Sequence, residues 1–184
     1  MAKIALGTWA WGAGAFGGDT VFSTNEAAAR LKEERPGRFL FCAALPLPDV
    51  DGAIREAIYA LDTLKADGIK LATNVQGQYL GVPELDSLFA VLNERGAVII
   101  LHPHRPEPIN SQVMQQTPLA IQEYLAETTR AVSNMISRNV LARYSNVKVV
   151  VPHCSAYLPL AIPRMKSLVE TCANEKFSPR NCLS

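Results

Sequence analysis

One stretch constrains this chain more than any other: Ala97-Val98-Ile99-Ile100-Leu101-His102-Pro103-His104. Apolar residues, several of them β-branched, run straight into a histidine and a proline. A short apolar run bounded in this way reads as a buried strand of a parallel sheet. The histidine then falls at the strand's carboxyl end, where α/β folds place their chemistry. Val147-Lys148-Val149-Val150-Val151-Pro152-His153 repeats the layout. Two strands that each bring a histidine to the same end of one sheet point to a metal or acid/base site. The chain has three histidines in all, so two at strand ends carry weight.

Helical segments lie between the apolar runs. Ser23 or Thr24 can cap a helix through Arg35, rich in good helix formers and stopped by Pro36-Gly37. Asp49 or Asp51 caps a second, in which Ile54, Ala57, Ile58, Leu61 and Leu64 form an apolar stripe. Gly68 is expected to close it. A third runs from about Glu84 to Glu94, burying Leu85, Leu88, Phe89 and Leu92. Residues 118–141 read as one long helix or two, and 162–175 as a last helix behind Pro159 and Pro163. Strands are expected near residues 3–10, 39–45, 69–73, 97–101 and 147–151. The segment between the third strand and the third helix reads as a loop, as does the polar stretch 104–117, long enough to suggest a function. Alternation of β and α implies a parallel sheet with right-handed crossovers. Five strands fall short of the eight of a closed (β/α)8 barrel.

Composition removes several classes of function. With 184 residues, 48% hydrophobic and a net charge of +1, the chain reads as a single domain over 1–184. That charge offers nothing to nucleic acid or to an anionic membrane. No apolar run approaches the ~20 residues of a membrane span. Residues 1–7 lack the pattern of a signal peptide, so a cytoplasmic location is expected. Cys42, Cys154, Cys172 and Cys182 are scattered and read as reduced thiols.

His102 can hydrogen-bond a backbone carbonyl or ligate a metal through a neutral imidazole. His153 has the same two readings, with general acid/base as a third. His104 reads as a surface residue. Asn74, at the end of the third strand, can hydrogen-bond a substrate, and Arg164 can bind a carboxylate or stand on the surface. Asp67 precedes the third strand, at the end away from the site. Glu127, in the middle of a helix, reads as part of a solvated face or a salt bridge.

The sequence from about Pro36 to Arg164 resembles the amidohydrolase-related family, in its branch of metal-dependent decarboxylases similar to aminocarboxymuconate-semialdehyde and methylsalicylate decarboxylases. The resemblance is carried by Pro36-Gly37-Arg38-Phe39, Leu45-Pro46-Leu47-Pro48, Ala66 to Asn74, Tyr79-Leu80-Gly81, Leu101-His102-Pro103, Glu127-Thr128-Thr129-Arg130, Pro152-His153-Cys154, Leu158-Pro159 and Arg164. It implies a partial (β/α)8 barrel over residues 23–176, with 177–184 as a tail. It also implies a divalent metal, usually zinc, with His102 as ligand and His153 as acid/base. The reaction implied is loss of CO2, or a hydrolysis, on a small aromatic or unsaturated carboxylic acid.

The family's His-x-His pair on the first strand is absent, and Ser155-Ala156 stand where it carries two glycines. The family's final aspartate and last strands are also expected to be missing. A catalytically inactive partial-barrel remnant is therefore an alternative, and an unclosed sheet edge makes a homo-oligomer an expectation. Residues 1–22 resemble the first strand of aldo-keto reductases, which implies an oxidoreductase as a second alternative.

Overall fold

The apolar runs pair side by side. The computed structural model describes residues 4–7, 24–109, 112 and 117–174. Its strands β1 (Ile4–Gly7), β2 (Phe39–Ala44), β3 (Gly68–Ala72), β6 (Val98–His102) and β7 (Lys148–Val150) form one sheet in the order β1-β2-β3-β6-β7. Every adjacent pair is parallel. Four helices make the crossovers: α1 (Thr24–Glu34), α2 (Val50–Ile58), α3 (Asp86–Glu94) and α4 (Glu123–Ser137), the last followed by the short α5 (Val140–Arg143). Helix α6 (Leu158–Asn174) follows β7. The glycine-rich stretch likened to an aldo-keto reductase lies, past Gly7, outside the described residues.

Strand alternation sorts the sheet's two faces. Ile69 pairs with Ile99 and Leu71 with Leu101, and all four are buried. They join Phe41, Ala43, Leu88, Phe89 and Leu92 in the core. The opposite face carries the row Ala44, Lys70, Ile100, Val150 and, one step nearer the carboxyl ends, the pair Ala72–His102. Val150 is half-exposed there, on the sheet's edge strand.

Four readings of the sequence need correction. In α2 the fully buried residues are Ala53, Ala57 and the following Ala60, while Ile58 is exposed. Small side chains let this helix lie close to its neighbours. It continues as a π-helical turn (Tyr59–Thr63) and ends ahead of Gly68, with Lys65 in the left-handed conformation at φ 53°. The segment after β3 is not simply a loop. It contains the hairpin β4 (Asn74–Val75) and β5 (Gln78–Tyr79). Gln76 and Gly77, at φ 52° and 77°, make its two-residue turn. Helix α6 starts at Leu158, with Pro159 in its first turn, where a proline's missing N–H costs no helical hydrogen bond, and it runs on through Pro163.

Asp49 caps α2 as expected, accepting a hydrogen bond from Gly52 N. Asp67 accepts from Phe41 N at 2.8 Å and Lys32 Nζ at 2.7 Å, so it ties α1 to the sheet at the end away from the histidines. Leu101, the last core residue before His102, tests this packing. Leu101→Ala should cost about 2–5 kcal/mol in a urea unfolding titration. A cost under about 1 kcal/mol would contradict its burial.

Candidate active site at the carboxyl end of the sheet

His102 is the last residue of β6, half-buried, on the same face as Lys70. Its Nδ1 lies 2.9 Å from the Pro103 carbonyl oxygen. Nδ1 protonated toward that carbonyl leaves Nε2 as the basic nitrogen, the arrangement found in metal-binding imidazoles. Burial favours the neutral ring and pushes its pKa down, and the charges of Lys70, His153 and His104 push the same way. All three therefore lie within electrostatic reach of His102. His153 follows the neighbouring strand β7 and is exposed, as is His104. The parallel sheet thus gathers the chain's three histidines at one end.

Lys70 is half-buried in the middle of β3, and loss of water pushes its ammonium down to about 8. It lines a cleft of about 290 Å³ with Leu45, Leu47, Ala72, Asn74 and His104, among others. His102, His153 and Arg164 are not among the residues of that cleft. Arg164 is exposed on α6.

Asn74 is 1% exposed and its amide is engaged on every side. Nδ2 donates to Arg105 O at 3.2 Å and to Glu127 Oε2 at 2.6 Å, and Oδ1 accepts from Gly77 N at 3.3 Å. Its evident task is to hold the hairpin and the loop after β6.

Glu127 corrects the solvated-face reading, since its side chain has no exposure, while the salt-bridge reading holds. Its carboxylate accepts from Asn74, from the Tyr79 hydroxyl at 2.6 Å and from Arg130 Nη1 at 2.6 Å. The next residues extend the clamp. Thr129 Oγ1 accepts from Tyr157 N at 3.0 Å, which ties α4 to the turn that carries His153. Asn134 Nδ2 donates to Leu80 O at 2.7 Å. Gly81 sits so close to Met135 that a Cβ would come within 3.2 Å of its Cα.

The turn after β7 is strained. His153, Cys154, Ser155 and Ala156 have φ of 55°, 52°, 68° and 54°. Ala156 pairs that φ with ψ −127°, a conformation that suits glycine. The serine and alanine that stand where the family has glycines thus bear a backbone cost, roughly 1–2 kcal/mol per left-handed residue.

A parallel βα arc with ionisable groups at its carboxyl edge defines the class: half of a (β/α)8 enzyme fold. The chain belongs to the amidohydrolase family, whose match covers residues 5–173. It is 36% identical over 167 residues to the decarboxylase yanB of Aspergillus niger, covering 86% of this chain and 45% of that one. It is 32% identical over 151 residues to the 6-methylsalicylic acid decarboxylase of Penicillium expansum, covering 80% and 46%. Among solved structures, the fold matches a 5-carboxyvanillate decarboxylase from Novosphingobium aromaticivorans with bound manganese. The TM-score is 0.77 at 22% identity, over 85% of this chain and 45% of that one. The chain spans about half the length of the curated relatives it matches.

In a divalent metal site His102 would supply one ligand. Among the described residues, no three His, Cys, Asp or Glu side chains come together to hold a metal ion. A catalytic metal takes about three protein ligands, so the described donor set does not complete one.

Two measurements test this geometry. Burial, then the hydrogen bond to Glu127, pushes the Tyr79 phenol up to about 12. In ultraviolet titration Glu127→Gln should lower that midpoint toward 10, because a neutral partner no longer opposes the phenolate. An unchanged midpoint would contradict the contact. Ala156→Gly should raise the thermal unfolding midpoint by the equivalent of about 1 kcal/mol, and a fall would contradict the strained turn.

Proposed function

We propose that this chain acts in the decarboxylation of a small aromatic or unsaturated carboxylic acid. The observation that carries the reading is the gathering of His102 and His153 beyond adjacent strands, in a chain related to decarboxylases of this kind. His153, exposed just beyond β7, is the acid/base group. It delivers a proton to the carbon that loses CO2, and the electron pair of the broken C–C bond takes up that proton. His102, held neutral by burial and oriented by the Pro103 carbonyl, is the residue turned toward a divalent metal. Such a metal would polarise the carboxylate or activate water. Zinc is expected from the sequence resemblance, and manganese is the ion in the related structure. No step is assigned through the metal, because the described residues supply too few ligands for it. Arg164 is retained as a candidate contact for a second polar group on the substrate, and Asn74 as a wall of the cleft.

The ligand shortfall favours a second reading, in which the partial barrel binds the acid without turning it over. The two readings separate in a CO2-release assay of the purified chain on salicylate-type acids, with and without added manganese or zinc. The proposal expects release, lowered at least ~100-fold by His153→Gln. Release unaffected by His153→Gln would contradict the role of His153. Retained binding of the acid with no release would establish the second reading.

A further inference from the structure

We infer that Lys70 is the anchor for the substrate's carboxylate and that the cleft it lines takes a single aromatic ring. Lysine in the middle of a strand needs a reason. Its neighbours on β3, Ile69 and Leu71, are core residues, while Lys70 faces the opposite way between Ala44 and Ile100 on the adjoining strands. Two alanines beside it, Ala44 across the sheet and Ala72 two residues on, leave room above the strand. The cleft occupies that room, at about 290 Å³ and the small end of ligand-pocket sizes. Leu45 and Leu47 give it an apolar wall, and Lys70 and His104 supply its basic groups. Glu107 stands at the rim as its acidic group.

An apolar wall facing a half-buried ammonium suits a flat apolar body with one anionic group. A ring stacks on the leucines while its carboxylate meets the lysine. A bound carboxylate would also offset the loss of water that burdens the Lys70 ammonium. His104 lines the same cleft and Lys70 shares its sheet face with His102, so an acid held there lies toward the histidine end of the sheet. Lysine is a compact point charge on a flexible stem, able to follow a carboxylate without fixing a bidentate geometry. This inference rests on the aromatic-acid reading above and names the residue that recognises the acid.

Benzoate and its neutral counterpart benzamide provide the test, by calorimetric or NMR titration of the whole chain at pH 7. Wild type should bind benzoate at least about tenfold more tightly than benzamide, as expected of a charge-assisted contact. Lys70→Met should abolish that preference and leave benzamide binding unchanged, and Lys70→Arg should keep most of it. The preference surviving in Lys70→Met, or being absent from wild type, would overturn the assignment. Decarboxylation is measured separately. His153→Gln should retain the benzoate preference while losing CO2 release. Wild type that prefers benzoate but releases no CO2 would leave Lys70 in place and remove the reaction. CO2 release with unchanged KM in Lys70→Met would do the reverse.

Discussion

A carboxyl group with no exposure to water needs hydrogen-bonding partners, and Glu127 has three donors. That requirement organises the carboxyl side of the molecule. Asn74 brings the hairpin, and through Arg105 the loop after His102. Tyr79 brings the hairpin's second strand. Arg130 supplies the compensating charge from the helix itself. The neighbouring Thr129 holds the backbone beyond His153. One turn of α4 therefore fixes both segments that carry the site's histidines. Removing the carboxylate would take from the buried Asn74 and the half-buried Tyr79 the acceptor they share, and from Arg130 its counter-charge.

The sheet provides the second constraint. Parallel register sets Ala72 beside His102 and Lys70 beside Ile100. Alternation then puts the lysine and the histidine on one face, opposite the core. A β-strand offers only these two sides, so a core that claims Ile69, Leu71, Ile99 and Leu101 assigns Lys70 and His102 to the open side without further choice. The same arc shows where the site is thin. One half-buried imidazole, His102, is oriented by a backbone carbonyl, and the turn after β7 holds His153 in strained backbone, with Ala156 in a conformation suited to glycine. Binding of an acid at Lys70 needs neither feature.

Much of this was legible in the sequence. The strands followed from apolar runs, α1 from its helix formers, and the buried face of α3 from periodicity, because these signals are local. His102 and His153 stood out as candidates because a polar residue closing an apolar run is a local signal as well. For Glu127 the sequence offered a solvated face or a salt bridge, and its burial stayed hidden because its donors Asn74 and Tyr79 lie 53 and 48 residues upstream, where helical spacing is silent. The hairpin was missed because its strands have two residues each, too short for alternation to register. Lys70 was passed over inside Ile69-Lys70-Leu71, where it reads as the polar half of an ordinary alternating strand. Only the neighbouring strands show how enclosed its side of the sheet is.

The central claim is that Lys70, His102 and His153 share one electrostatic site. Histidine titration by NMR tests it most directly. His102 should titrate below its ordinary value of about 6.5, Lys70→Met should move that midpoint upward, and His153→Gln should move it upward by less. A His102 midpoint indifferent to both substitutions would show that the three groups do not meet, and the account of the site would fail.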